Sequence, residues 1–252
     1  MSYPIIEFDP EREAFIEPSK VISSLDMPTY CVLCFFKEVL EKVTAEHHGK
    51  IIVNHKWEDG PHPIYEIEHK GKRLAYYQAG IGSALSVGLM EEAIAYGCTK
   101  FIACGGCGAL EKEITVGRLI CVSAAVRDEG ASYHYLPPSR EVQANPVVLE
   151  SMIKVMKDAR VPYVVGKTWT TDAPYRETKG RILKMKAEGC IAVEMEAAGL
   201  MAVTEFRKPD FGQILYGGDD LSGAKWDNRG WQNRSEIREK LFWLCADAVT
   251  SL

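Results

Sequence analysis

The chain is predicted to form an α/β fold: a single domain, residues 1–252, with a largely parallel, twisted mixed sheet flanked by helices. Three observations lead there. Short apolar runs alternate with amphipathic helical stretches, which implies parallel strands covered on both faces. Glycine- or acid-rich turns follow strands at 80–83, 105–108, 194–196 and 217–220. No Pro/Ser-rich linker, charge run or internal repeat divides the 252 residues.

The elements follow in order. Arg73–Ala79 reads as a strand ending in Gly80-Ile81-Gly82-Ser83, and Ala84–Tyr96 as a helix with Leu85, Leu89, Ala93 and Tyr96 at helical spacing. Gly97 stops that helix. Phe101–Cys104 is the next strand, closing in Gly105-Gly106-Cys107-Gly108, and Leu119–Val126 is a further strand. Pro146–Ala159 is a second amphipathic helix, with Val148, Met152, Val155 and Met156 on one side. Tyr163–Thr168 is a strand, Cys190–Val193 a strand end, Ala197–Glu205 a helix, Gln213–Tyr216 a strand and Ser235–Val249 a C-terminal helix. Ligands in such folds sit at the carboxyl ends of strands, so the four turns are expected to share one site.

Bulk properties exclude several classes. A net charge of −5 gives no basic field for nucleic acid. No apolar run approaches a bilayer span, so no membrane partner is expected. Met1-Ser2-Tyr3-Pro4 leads straight into acidic residues rather than a signal peptide, and the cytoplasm is the expected compartment. Cys31-x-x-Cys34 and Cys104-x-x-Cys107 have zinc or redox spacing, but the pairs lie far apart among apolar neighbours. Buried free thiols are the expectation, with no metal site. Gly80-x-Gly82 lacks the third glycine of a dinucleotide turn, Leu85 standing there, and no acidic residue follows at the usual distance.

The stretch with most chemistry is Val193-Glu194-Met195-Glu196-Ala197-Ala198-Gly199-Leu200, two carboxylates at the mouth of an Ala/Gly helix. Two readings stand. The carboxylates hold a polyol such as ribose, because a carboxylate accepts strong charge-assisted bonds from hydroxyls. Or they are first-turn residues that favour the helix dipole. Asp219 and Asp220 likewise read either as a turn or cap, or as an acid pair.

Val193–Gly199 resembles the ribose-binding signature of the nucleoside phosphorylase-I family, with its phosphorylase/hydrolase-like fold. Gly80-Ile-Gly-Ser resembles the family's early glycine turn, and Gly105–Leu110 the turn that cradles phosphate. Arg127–Tyr135 is similar to a segment of the uridine enzymes. Thr171-Asp172-Ala173-Pro174-Tyr175 resembles the base-site loop, where Pro174 replaces one of two aromatics. Gly218-Asp219 falls where purine members place a Ser-Asp pair. The resemblance implies that Glu194, Met195 and Glu196 hold ribose, and that Thr171, Tyr175 and Arg176 line the base pocket. Gly80, Gly105 and Gly106 would hold phosphate or another nucleophile, and Asp219 or Asp220 would be the acid at the base. It implies phosphorolysis of a ribonucleoside, uridine or purine, to base and ribose 1-phosphate. No cofactor is implied beyond inorganic phosphate as co-substrate, and a homo-oligomer, dimer or hexamer, is expected.

The departures concern phosphate. Ala103 stands where the family has an arginine, Gly106 where it has Ser or Thr, and Phe35-Phe36-Lys37-Glu38-Val39 where it has a Gly-Asp-Pro-x-Arg turn. A third arginine has no counterpart around Asn54–Lys56, and Lys37, Lys56 and Arg127 are the candidate substitutes. The alternatives are therefore a hydrolytic nucleosidase of the same fold and a non-catalytic nucleoside-binding protein. The Trp226-Asp227-x-Arg229 and Trp231 cluster reads as a lid or a subunit contact.

Overall fold

The structure is a computed structural model that describes residues 3–114 and 116–252, with the backbone alone at His55. The first half runs α1 (Pro18–Val21), β1 (Tyr30–Cys34), α2 (Lys37–Glu46), β2 (Lys50–Trp57), β3 (Gly60–His69), β4 (Lys72–Gln78), α3 (Ser83–Tyr96), β5 (Lys100–Ala109) and β6 (Leu119–Asp128). The second runs β7 (Glu141–Gln143), α4 (Pro146–Asp158), β8 (Tyr163–Thr171), α5 (Lys179–Ala187), β9 (Cys190–Glu194), α6 (Ala197–Arg207), β10 (Asp210–Asp220) and α7 (Ser235–Thr250).

The strand order is β10-β6-β8-β9-β5-β1-β4-β3-β2, β10 also pairs with β5, and β7 pairs with β6. Five strands thus close into a ring, and β1, β4, β3 and β2 extend from β5 as an open wing. The sheet is mixed, as expected, but half of its ladders are antiparallel. The β2–β3–β4 meander supplies two of these, and ring closure through β10–β6 and β5–β9 supplies two more.

Side chains alternate between two apolar layers. One packs Leu33, Phe101 and Leu215 under Val87 and Leu89 of α3 and Leu200 of α6. The other packs Val32, Ile102 and Ile214 under Val39 of α2, Met152 of α4 and Phe242 of α7. The same alternation separates the cysteine pairs. Cys31 and Cys107 face the first layer, Cys34 and Cys104 the second, so the thiols of each pair point to opposite sides of the sheet. All eight cysteines are buried and free.

Two of the expected turns are strand. Gly105–Gly108 lies within β5, with Gly106 opposite Tyr216 of β10 and Gly108 opposite Val193 of β9. Gly217–Asp220 lies within β10. Close packing, not chain reversal, requires glycine in β5. A Cβ would sit 3.1 Å from the Phe35 ring at Gly105, 3.2 Å from the Tyr216 ring at Gly106 and 2.9 Å from Val193 at Gly108. Among the described residues no helix is long and apolar enough to cross a membrane.

Candidate active site

The junction of β9 and α6 is built by its own polar groups. The first N–H groups of a helix have no intrahelical partner. At α6 the Glu194 carboxylate takes two of them, from Glu196 at 2.7 Å and Ala197 at 2.6 Å, and also accepts the Thr170 hydroxyl at 2.6 Å. Thr170 Oγ1 in turn accepts the Ala198 N–H at 3.0 Å. Glu194 is therefore saturated as a cap. Glu196 turns away from the helix, and its Oε1 accepts the Gly82 N–H at 2.7 Å. Gly82 precedes α3 at φ +85°, a backbone conformation that favours glycine. The Ser83 hydroxyl donates to the Met195 carbonyl at 3.0 Å. Gly199 lets the helices approach, since a Cβ there would stand 2.9 Å from Ser83. The positive ends of α3 and α6 thus converge on Glu196.

Glu194 and Glu196 are 6% and 7% exposed. Burial pushes both carboxyls above the usual range, and the Glu194 charge raises Glu196 further. Asp172 adds to the rise at Glu196 and Glu129 to that at Glu194. Among the described residues no cation pairs with any of these four. Four acids therefore cluster here, Glu194, Glu196 and Glu129 buried and Asp172 exposed.

Asp219 and Asp220 differ sharply. Burial alone would raise Asp220, but hydrogen bonds from Ser222 and the Arg229 guanidinium outweigh it and hold its carboxyl below the usual range. Its backbone is also tied to Asp227 in a reciprocal pair. Asp220 is an anchor for the segment that follows. Asp219 meets one side-chain donor, the Trp226 indole N–H at 2.6 Å. Its other oxygen lies 3.6 Å from where a Gly108 Cβ would sit. Cys107, beside Gly108, feels both the Glu194 and the Asp219 charge.

The remaining expected residues divide. Thr171 is buried at the end of β8 and accepts the Ala173 N–H at 3.3 Å. Tyr175 is 99% exposed, and Arg176 beside it is exposed. Glu177, which sequence reasoning passed over, turns inward instead: burial and the Asp219 charge push its carboxyl up to about 7. Its only sequence signal was its place two residues after Tyr175. Gly80 begins the turn that delivers Gly82, and its carbonyl accepts the Ser86 hydroxyl at 3.1 Å.

The candidate phosphate substitutes are engaged elsewhere or exposed. Arg127 is 2% exposed and donates to Ser132, Leu136, Pro137 and Ser139 at 2.7–3.1 Å, stacked 4.3 Å over Tyr133. It orders its own following segment. Lys37 lies 3.8 Å from Glu41 on the surface, and Lys56 is exposed. Beside Gly106, where a phosphate-binding hydroxyl would point, stands the Tyr216 phenol. Arg238 of α7 donates to that phenol oxygen at 3.1 Å and to Glu38 at 2.6 Å, with its guanidinium 4.8 Å from the Phe36 ring.

The ring-closed sheet, with an acid-lined seat where two helix N-termini meet, defines an enzyme-like α/β scaffold of the phosphorylase/hydrolase kind. A family model, the phosphorylase superfamily, matches residues 29–240. The chain belongs to that superfamily, within its nucleoside phosphorylase-I family. It is similar to a guanosine phosphorylase of Halorubrum lacusprofundi, 25% identical over 194 residues, 75% of this chain and 80% of that protein. A DeoD-type purine nucleoside phosphorylase of Colwellia psychrerythraea is 30% identical over 143 residues, 55% of this chain and 60% of that one. Among solved structures, an AMP nucleosidase from Bacteroides thetaiotaomicron superposes with a TM-score of 0.73 at 23% identity, over 90% of this chain and 89% of that one.

Proposed function

We propose that this protein cleaves the N-glycosidic bond of a ribonucleoside. The observation that carries this is Glu196, held at the α3–α6 junction by the Gly82 N–H, on β9's side of β5, with Asp219 on β10, which flanks β5 from the other side. Glu196 accepts the ribose hydroxyls and Met195 packs on the sugar. As the bond breaks, the ribosyl group gains positive charge, which the buried carboxylates stabilise. Asp219 gives the departing base its proton. Asp220, locked to Arg229, is left out of the chemistry.

Phosphorolysis, with inorganic phosphate as co-substrate, is the course that the named phosphorylase relatives support. Hydrolysis is a second reading, and one observation favours it: the Tyr216 ring fills the space beside Gly106, and Arg238 behind it is held by the Tyr216 phenol and Glu38. A homo-oligomer belongs to the proposal on family resemblance, and sedimentation velocity tests it. The central experiment is a nucleoside panel assayed with and without phosphate, with ribose and ribose 1-phosphate measured as products. Binding of nucleosides with no release of base from any of them overturns the enzymatic reading.

A further inference from the structure

The Trp226-Asp227-x-Arg229 cluster reads from sequence as a lid or a subunit contact, and the proposed chemistry leaves it without work. The structure fastens the chain on both sides of Trp226. Asp220 and Asp227 exchange backbone N–H···O bonds at 2.8 and 3.0 Å. The Asp220 carboxylate accepts the Ser222 N–H at 2.7 Å and the Arg229 guanidinium, and Arg229 also donates to the Ile114 carbonyl at 2.8 Å. The Asp227 and Asn228 side chains accept the N–H groups of Arg229 and Gly230, each at 3.0 Å. Arg229 is held at φ +52°, left-handed backbone that persists in a non-glycine residue only where its surroundings over-determine it. Residues 220–230 are therefore a clasp rather than a free flap.

The clasp brings one side chain to the site. The Trp226 ring is 62% exposed, so little apolar burial holds it in place. Its indole N–H, which can only donate, bonds to Asp219 Oδ2 at 2.6 Å. Oδ1 of the same carboxyl faces β5. It lies 3.6 Å from where a Gly108 Cβ would sit, a point that Val193 of β9 approaches to 2.9 Å. Asp219 thus looks across a glycine toward the strand that ends at Glu194. The terminal torsion of an aspartate is soft and roughly two-fold. Among the described residues, the Trp226 N–H is the one side-chain donor that holds this carboxyl.

We propose that Trp226 is a positioning residue: its indole N–H fixes the plane of the Asp219 carboxyl and so aims Oδ1 at the site, and the Asp220–Arg229 clasp delivers that N–H. The role belongs to the N–H and not to the ring. This rests on the reading of Asp219 as the group that serves the departing base, and adds to it the part that aims the group.

The test compares kcat and KM for nucleoside cleavage in the wild type, Trp226→Phe, Asp219→Ala and the double variant, with Tm as the control for folding. Trp226→Phe keeps an aromatic ring and removes the N–H. Expected is a kcat lower by about tenfold to a hundredfold, the cost of a misaimed group, with KM within about threefold of wild type. Its Tm is expected unchanged, because the ring is exposed. Added to Asp219→Ala, Trp226→Phe should reduce the residual rate no further, since the indole acts only through that carboxyl. Wild-type kcat in Trp226→Phe overturns the proposal. So do losses that multiply in the double variant, which would make the ring a wall of the pocket. Wild-type kcat in Asp219→Ala sinks the acid reading and the proposal with it, whereas an inactive Asp219→Ala beside an unimpaired Trp226→Phe sinks the proposal alone.

Discussion

Glu194 and Glu196 stand two residues apart in one motif, yet their environments assign them opposite work, and removing each side chain separates the two roles. Glu194→Ala strips the partner from the N–H groups of Glu196 and Ala197 and from the Thr170 hydroxyl, all at a buried helix end. Each orphaned buried donor costs about 1–3 kcal/mol, partly offset by the removal of a buried charge. The net loss works out at about 2–4 kcal/mol, or a Tm lower by roughly 4–16 °C at this chain length. Glu196→Ala removes the bond from the Gly82 N–H and the pull of the Met195 N–H, together with a carboxylate that burial and Glu194 already disfavour. Its stability should stay within about 1 kcal/mol of wild type. Its kcat/KM should instead fall by roughly 10²–10⁴, since two charge-assisted ribose bonds are worth about 3–6 kcal/mol together. Urea unfolding with m-values, alongside nucleoside cleavage, reads both axes. Glu194→Ala as stable as wild type but inactive, or Glu196→Ala unfolded, would refute the division of roles.

Three further outcomes follow from the same geometry. The folded pKa of Glu196 lies above its ordinary 4.5, so its contribution to stability is fully present below that pH and lost as pH rises through the raised value. Glu196→Gln should therefore gain on the wild type as pH climbs from 5 to 9; a stability difference that does not change with pH would contradict the burial argument. Arg127→Met leaves the carbonyls of Leu136 and Pro137 and two serine hydroxyls without their donor. It should cost about 2–4 kcal/mol and speed amide exchange across 130–140, measured by mass spectrometry; unchanged exchange there would place the cause elsewhere. Tyr216→Ala opens the space beside Gly106 and frees Arg238 from the phenol, at a stability cost of about 3–5 kcal/mol. On the hydrolytic reading phosphate should accelerate cleavage in this variant and not in the wild type, and a wild type that needs phosphate would refute that reading.

The strands and helices that carry periodic apolar residues were legible. Arg73–Ala79, Ala84–Tyr96, Pro146–Ala159 and Ser235–Val249 all fall within one residue of elements in the structure. The β2–β3 hairpin was not legible, because Pro61 and Pro63 interrupt it and its residues are mostly exposed or half-buried. The glycines of 105–108 misled for a physical reason: glycine marks close approach as readily as a turn, and the rings of Phe35 and Tyr216 make the approach here. At the site, the β9–α6 motif announced both glutamates, but only the three-dimensional donors show that Glu194 is consumed as a cap. Glu177 carried no pattern of its own. What marks it is its burial after the 174–176 turn and the Asp219 charge acting on it, from more than forty positions away in the chain.

The charge of the pocket bears on what attacks the sugar. Glu194, Glu196, Asp172 and Glu129 act on one another without a paired cation among the described residues, and the Asp219 charge acts in turn on Glu177. Such a field stabilises a developing ribosyl cation and opposes a phosphate dianion brought to the same centre. A phosphorylase meets that conflict with arginines aimed at the anion. Here Arg127 is spent on carbonyls and hydroxyls of its own loop, and Arg238 is neutralised by Glu38 behind Tyr216. A neutral nucleophile requires none of this compensation. The electrostatics that would favour bond cleavage on the proposed reading therefore also favour water.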